Sequence, residues 1–497
     1  MDAIVSAVLG DILSRSISFF VDRYRRLQTG GAEESLQHLR LVLLRVRDTV
    51  EEAERRHVTN QAMLRQLETL RHSMYRGYYA LDAFTCRDGE DQVSYHSLSV
   101  SKFSSAKRLC RSTSWTPNNM VVDGELRKAV VGLEMIVADM EEFVIFLKCY
   151  PPIYRQPCSS YLFSDMCMFG RQTEYERIVS FLLQIALPVT SNNLSVLPIV
   201  GPGIVGKSTL VEHVCFDERV RGFFSTIVFV DGDDLEATKP DANPVHDNGV
   251  IKYRNCGASH GRLLVIMELT GDLEEETWRQ LCSSLLAHMA HGSKIIVTSR
   301  SERILRFGTA QPLRLNFLPQ EAYWYFFKMI ALRNAGSEDY PELSYIAMEI
   351  ATELNASFAG AKIIGTLLRA NTSLRFWRKV LERFRQSTAK HLHMFGEHPM
   401  DLLRKERPMH IWGMTGSSSK ALVLHRCYQV RSPQKEVPRL TMHDMLCGRA
   451  IPRGGNFEFL AWKSQIPPYY SYLVSCSITT SQSSMGAKKK RSRLQGI

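Results

Sequence analysis

One run of residues, Gly201-Pro202-Gly203-Ile204-Val205-Gly206-Lys207-Ser208-Thr209, restricts the fold of this chain more than any other. It satisfies the pattern G-x-x-x-x-G-K-[ST] and sits between an apolar run, Val196–Val200, and the helix-compatible Leu210-Val211-Glu212-His213. A strand, a glycine-rich turn and a helix in that order bring several backbone N–H groups to one point, where the positive end of the helix also lies. Gly201, Gly203 and Gly206 let the backbone close around phosphate oxygens. Lys207 supplies a compact charge for the outer phosphates, Ser208 can reach a bound Mg2+, and Thr209 completes the nucleotide-binding set. The alternative is a glycine-rich βα turn that binds nothing, and the flanking strand and helix argue against it.

Hydrolysis at such a site needs carboxylates at the end of a second strand, one to hold Mg2+ and one to orient water. The candidate strand, Leu263-Leu264-Val265-Ile266, runs into Met267-Glu268, which offers one carboxylate. Met267 is a soft thioether and a poor partner for a hard cation. Glu268 is therefore the candidate catalytic residue, while Asp272 and Glu274 to Glu276 read as the solvated start of the next helix. The run Lys294–Thr298 ends in Ser299-Arg300, so Arg300 should project from the same sheet edge as the glycine loop and could sense a terminal phosphate. A plain surface arginine is the alternative there.

The rest of the chain can be read around this centre. Its 497 residues are 44% apolar and 23% charged, enough for about three globular domains. Leu36, Leu39, Leu43, Val46, Val50 and Ala53 recur at steps of three and four, the period of one helix face. Leu67, Leu70, Met74, Tyr78 and Leu81 form a second stripe, and Leu126 through Leu147 a third. With Leu9, Leu13, Ile17 and Phe20, these predict a four-helix bundle over 1–150, interrupted by a polar flexible loop at 86–122. Short β-branched runs alternate with helical segments over 165–318, the pattern of a parallel sheet covered by helices. Pro198 is awkward there, because a central strand needs every N–H. Helix returns over 319–390, and 391–497 reads as a diverged or truncated tail with poor periodicity, partly disordered.

Composition narrows the function classes. The net charge is +11, but five of the positive charges are Lys488, Lys489, Lys490, Arg491 and Arg493, which leaves no strong case for a nucleic-acid surface. That cluster is either a nuclear import or phosphate-binding tail or a solubilising one. Eleven cysteines without a C-x-x-C pair suit a reducing compartment, and no apolar run is long enough to span a bilayer, so a cytoplasmic or nuclear protein is expected. Thr238-Lys239-Pro240-Asp241 mimics a guanine-specificity motif but precedes the second strand, and reads as a loop. His391, His393 and His398 beside Glu397 fit no common zinc spacing and read as solvated.

Taken together, the ordered motifs resemble plant intracellular immune receptors of the coiled-coil NB-ARC type. Phe169-Gly170-Arg171 with Glu174, the Val196–Gly203 strand including its proline, Asp217-Glu218-Arg219-Val220, Gly292–Arg300 and Leu318-Pro319-Gln320-Glu321-Ala322-Tyr323 follow the family's order through most of 1–385. The departures are specific. The family's paired aspartates fall on Met267 and Glu268, its Gly-Leu-Pro-Leu motif on Ala356-Ser357-Phe358-Ala359, and its acidic bundle motif on Tyr78 to Asp82, keeping only Asp82. Met442-His443-Asp444 spells its switch triplet, which makes His443 and Asp444 switch candidates, and no leucine-rich repeat is found after it.

The resemblance implies a multidomain α and α/β protein: a helical signalling bundle, a P-loop NTPase-type parallel sheet, and a helical lid. It implies ADP or ATP with Mg2+ as ligands, a conformational switch in plant defence signalling with weak or no hydrolysis, and partners among other immune receptors or signalling proteins, including self-association through the bundle. Two further readings stay open, a non-hydrolysing decoy or helper that pairs with full-length receptors, and an active ATPase that uses Glu268.

Overall fold

The computed structural model describes residues 32–54, 56–97, 119–138, 140–151, 169–184, 194–232, 250–254, 261–269, 271–286, 290–332, 340–405, 407–412, 420–430, 438–446, 455–463 and 471–480. The expected first helix, with Leu9 to Phe20, lies outside them, as do Thr238–Asp241 and Lys488–Arg493. The chain forms two compact units.

The first unit is helical. Helices α1 (Ala32–Glu54), α2 (Gln61–Ser97), α3 (Asn119–Ala138) and α4 (Met140–Lys148) carry the stripes read from sequence, and Leu39, Leu43, Val46, Leu67, Leu70 and Leu133 are all buried. The stretch read as a loop, 86–122, is in part helix: α2 continues to Ser97 and α3 begins at Asn119. No proline interrupts Cys86–Ser97, and extending a helix already nucleated by a buried face costs little. Helices α5 (Gln172–Leu183) and α6 (Lys207–Cys215) belong to the second unit, and the first unit resumes after it.

There the polypeptide returns as α9, Gln320–Ala331, against α2. Asp82, 1% exposed, accepts hydrogen bonds from Trp324 Nε1 at 2.8 Å and from Lys328 Nζ at 2.8 and 2.9 Å. Tyr325 lies 5.0 Å from Tyr75 and 5.4 Å from Tyr78 between ring centroids, and Gln320 Nε2 donates to the Tyr79 hydroxyl at 3.0 Å.

The second unit is built on a six-stranded sheet: β1 (Ser195–Val200), β2 (Thr226–Asp231), β3 (Val250–Arg254), β4 (Leu263–Leu269), β5 (Lys294–Ser299) and β6 (Leu313–Arg314), in the order β3-β2-β4-β5-β1-β6. All neighbours are parallel except β2 and β3. Both faces are covered, which is why the strands are nearly continuous apolar runs. On one face Leu197, Ile199, Leu264, Ile266 and Ile296 pack with α5, α6 and α7 (Glu218–Phe223). On the other, Val196, Val265, Met267, Ile295 and Val297 pack with α8 (Glu275–Leu286) and a 3-10 turn at Glu302–Phe307, where Trp278 stacks on Phe307 at 4.6 Å.

Pro198 fits because of where β6 begins. It is opposite Val297 of β5 on one side, while on the other side β6 starts only opposite Ile199. Val196 N donates to Thr309 Oγ1 at 2.7 Å, and the ring of Pro198 packs beneath Gly308, so no ladder bond is lost.

Beyond helices α10 (Pro341–Glu353), α11 (Phe358–Ala370) and α12 (Leu374–Phe395), the stretch read as an irregular tail contains regular structure. After α13 (Pro399–Arg404), strands β7 (Met409–Trp412), β8 (Lys420–Val430), β9 (Asn456–Lys463) and β10 (Ser471–Thr480) make an antiparallel sheet, order β7-β8-β10-β9, with α14 (Met442–Leu446) between β8 and β9. Its core is Met409, Leu422, Leu424, Met445, Phe459, Val474 and Cys476. The reading of His391 as solvated is also corrected: it is fully buried, with Nε2 2.7 Å from the His410 carbonyl, and His398 caps α13 through Nδ1.

Candidate phosphate-binding site

Parallel strands β1, β4 and β5 all end at one sheet edge, and the candidate residues collect there. The turn after β1 is anchored by buried Val205, and Gly206 opens α6 with φ +96°, a left-handed conformation that suits glycine. Ile204 holds φ +55°, an unusual value for a β-branched residue and a strain stored within the loop. Two glycines allow close approach: a Cβ at Gly201 would meet the Leu315 carbonyl, and one at Gly203 the Arg404 carbonyl.

Successive side chains at the start of α6 point to different partners. Lys207 Nζ donates to the carbonyls of Gly201 at 2.7 Å and Pro202 at 2.9 Å. Ser208 Oγ donates to Glu268 Oε1. Thr209 Oγ1 is 2.6 Å from the hydroxyl of Tyr472 on β10. Alternation along β4 explains why Glu268 is the carboxylate that arrives: Met267 is turned into the opposite core, fully buried, while Glu268 shares the α6 face with Leu264 and Ile266. Of the carboxylates set aside in the sequence, Asp272 pairs with Arg303, and Glu275 and Glu276 with Arg279, away from the loop.

Arg300 follows β5, is exposed, and has Nε 3.4 Å from where a Gly203 Cβ would stand. Burial, reinforced by the Arg300 charge and opposed by Glu268, lowers the Lys207 ammonium to about 8. The sign of a pH dependence follows. Phosphates favour the charged form, so ligation raises the lysine pKa and takes up a proton wherever the free loop has lost it. Nucleotide affinity should be flat below about pH 7 and fall above about pH 8, approaching tenfold per unit. Titrations of ADP at pH 6.5, 8.0 and 9.5 check this, and Lys207→Arg should flatten the profile.

Residues from far along the chain complete the surroundings. Arg404, at the end of α13, lies over the Phe317 ring at 3.9 Å, pairs with Asp401 at 2.8 Å and donates to the Asn355 carbonyl. Asn355 and Ala356 take φ +46° and +57°, and Ser357 caps the start of α11. This is the place of Ala356-Ser357-Phe358-Ala359, and Arg171 has its guanidinium 6.0 Å from the Phe358 ring. Asp444 closes the first turn of α14, accepting from Thr441 N at 3.1 Å and donating its own N–H to Thr441 Oγ1 at 3.2 Å. The side chain of His443 lies outside the described residues. Sequence reasoning missed Tyr472 and Arg404, since neither sits in a recognisable motif.

The donor set suits Mg2+: a hydroxyl and a carboxylate are hard oxygen ligands, to which bound phosphates would add more. Among the described residues, no group of three His, Cys, Asp or Glu side chains could hold a metal by itself, and no helix is long and apolar enough to cross a membrane.

No family model matches the chain. It is similar to disease resistance protein RGA2 of Solanum bulbocastanum, 22% identical over 365 residues, 70% of this chain and 36% of that protein. It is similar to putative disease resistance RPP13-like protein 1 of Arabidopsis thaliana, 25% identical over 367 residues, 70% of this chain and 34% of that one. The chain thus spans about a third of the length of these curated relatives. Among solved structures, Drosophila ORC bound to DNA is similar at TM-score 0.31 and 11% identity, over 49% of this chain and 70% of that one, too loose a likeness to carry an argument. The curated homologues are plant disease resistance proteins, and they bear out the resemblance read from the ordered motifs.

Proposed function

We propose that this chain, kin to the NB-ARC disease resistance proteins of plants, is an intracellular defence-signalling switch that binds ADP or ATP at Gly201–Thr209 and turns it over slowly or not at all. The observation that carries the reading is the convergence of Lys207, Ser208 and Glu268 at the edge where β1, β4 and β5 end. In the liganded state Lys207 would exchange the Gly201 and Pro202 carbonyls for phosphate oxygens. Ser208 and Glu268 would hold Mg2+, and Arg300 would meet the terminal phosphate. The ion, when bound, neutralises phosphate charge.

Slow turnover is supported by the count of carboxylates. Holding the ion and orienting water are separate tasks, and among the described residues Glu268 is the acid brought to the Ser208 hydroxyl, with Met267 facing the other way. Long occupancy of one nucleotide state suits a switch, because a ligand shifts a conformational equilibrium only by its difference in affinity for the two forms. The helical bundle offers the signalling surface: Leu41 and Leu44 on α1 and Met135, Ile145 and Phe146 on α3 and α4 are exposed apolar side chains, suited to pairing with another receptor or a second copy.

Protein purified under native conditions, denatured by heat and extracted should release ADP at close to one equivalent per chain. Lys207→Ala should cut ADP affinity by roughly 10- to 100-fold, the worth of a charge-assisted hydrogen bond to phosphate. Absence of nucleotide from the extract, together with no binding of added ADP and no effect of Lys207→Ala on stability, would sink the switch.

A further inference from the structure

Among the described residues, a polar contact joins the C-terminal sheet to helix α6, and its chemistry has a direction. Thr209 is buried, and Tyr472 OH lies 2.6 Å from its Oγ1. Burial pushes the Tyr472 phenol well above its ordinary range; its hydrogen bond with Thr209 opposes this and the Cys427, Glu212 and Glu268 charges reinforce it, and the net shift keeps the phenol protonated at neutral pH. A second contact ties the same strands to α11: Lys362 Nζ lies 4.1 Å from the Trp462 ring centroid, and Trp462 is the β9 partner of Tyr472. Burial and the Lys362 charge lower His213 of α6 to about 4, so its imidazole is neutral at neutral pH.

A threonine hydroxyl has one proton to give. Phosphate oxygens at neutral pH accept and do not donate. If Thr209 gave its proton to Tyr472, it would offer lone pairs to an anion. If Tyr472 gives its proton to Thr209, the threonine hydroxyl can turn its own proton toward the phosphates. We propose that Tyr472 is a positioning residue that couples the C-terminal sheet to nucleotide occupancy, by donating to Thr209 Oγ1 and so turning the Thr209 hydroxyl toward bound phosphate. This rests on the nucleotide-binding reading of Gly201–Thr209 and deepens it. Coupling is reciprocal: bound ADP holds β10 in place, and a sheet pulled from α6 weakens ADP. The contact is thus a route by which displacement of strands β9 and β10 is felt at the phosphates without the switch triplet at His443-Asp444.

The test uses the full chain and ADP with Mg2+. Tyr472→Phe removes one oxygen and keeps the ring. It should bind ADP about 5- to 15-fold more weakly than wild type, the loss expected of one hydrogen bond. In the Thr209→Val background the same substitution should change nothing, because its partner is already gone; a merely structural tyrosine would weaken both backgrounds alike. Hydrogen exchange should show ADP protecting β10 amides in wild type and not in Tyr472→Phe. Equal ADP affinity for wild type and Tyr472→Phe overturns the coupling and leaves the switch reading standing, whereas failure of the wild-type chain to bind ADP overturns both.

Discussion

Replacing Asp82 by alanine is expected to destabilise the helical unit by about 3–5 kcal/mol, the cost of leaving one partner of a buried ion pair behind. Asp82 is 1% exposed, and the side chain of Lys328 is 14% exposed. Once the carboxylate is gone, an ammonium and the indole N–H of Trp324 both lose their acceptor inside a packed interface. The measurement is a denaturant midpoint followed by helical signal, with the slope of the transition unchanged. Asp82→Asn keeps an acceptor for the indole and should fall between wild type and alanine. Joint replacement, Asp82→Leu with Lys328→Met, removes both charges and should recover part of the loss, the Trp324 indole N–H still lacking its acceptor. A loss below about 1 kcal/mol for Asp82→Ala would mean that water replaces the carboxylate, and the packing described for α2 and α9 would then be wrong. By its resemblance, Asp82 is the last acid of a motif whose other acids are gone, and in this structure it serves a helix that follows the six-stranded sheet in sequence.

Gly203→Val should cost about 3 kcal/mol and lower ADP affinity together with it. The reason is the Arg404 carbonyl, which stands where a Cβ at Gly203 would have to go, with the Arg300 guanidinium on the neighbouring side. Backbone cannot yield as a flexible side chain can, so the turn or the end of α13 must move, and an overpacked site of this kind sits at the upper end of the usual penalty. Gly222→Ala is the control: its Cβ would meet nothing within 4 Å, and it lies inside α7, so a gain of up to about 1 kcal/mol is expected from helix propensity alone. Thermal melts of both variants with and without ADP would separate the two effects. Wild-type stability for Gly203→Val would show that the loop and α13 are not in contact in solution.

How much of this could be read in advance depends on whether the information is local. The glycine loop, the run into Met267-Glu268 and the placement of Arg300 were legible because strand, turn and helix signals lie within a few residues of the chemistry, and a parallel sheet forces the strand ends together. Tyr472 was not legible, because its partner Thr209 is far away in sequence and nothing in the residues around it announces a contact. The C-terminal sheet escaped for a different reason. Strand recognition relies on a strict two-residue period, and β8 and β9 each carry one extra residue opposite β10, His425 and Ala461, which shifts the phase of each strand. Both Leu473 and Val474 are buried, as are Val423 and Leu424 on β8, so the alternation is blurred further. His391 was misread because it was grouped with His393, Glu397 and His398 as a polar stretch, although its own face of α12 meets Phe395 and His410.

The proline in β1 has a bearing on solubility. Over Val196–Pro198 the strand lacks a partner on its outer side, because β6 is only two residues long. An open flank of that kind is where a foreign strand adds on and intermolecular sheets begin. Here the outward amide of Val196 is claimed by Thr309 and its carbonyl by the amides of Thr309 and Ala310. Pro198 has no amide to offer, and its ring, under Gly308, fills the gap. The residue that looked least suited to the strand leaves its flank nothing with which to recruit a neighbour, which guards the apolar core of the sheet against aggregation.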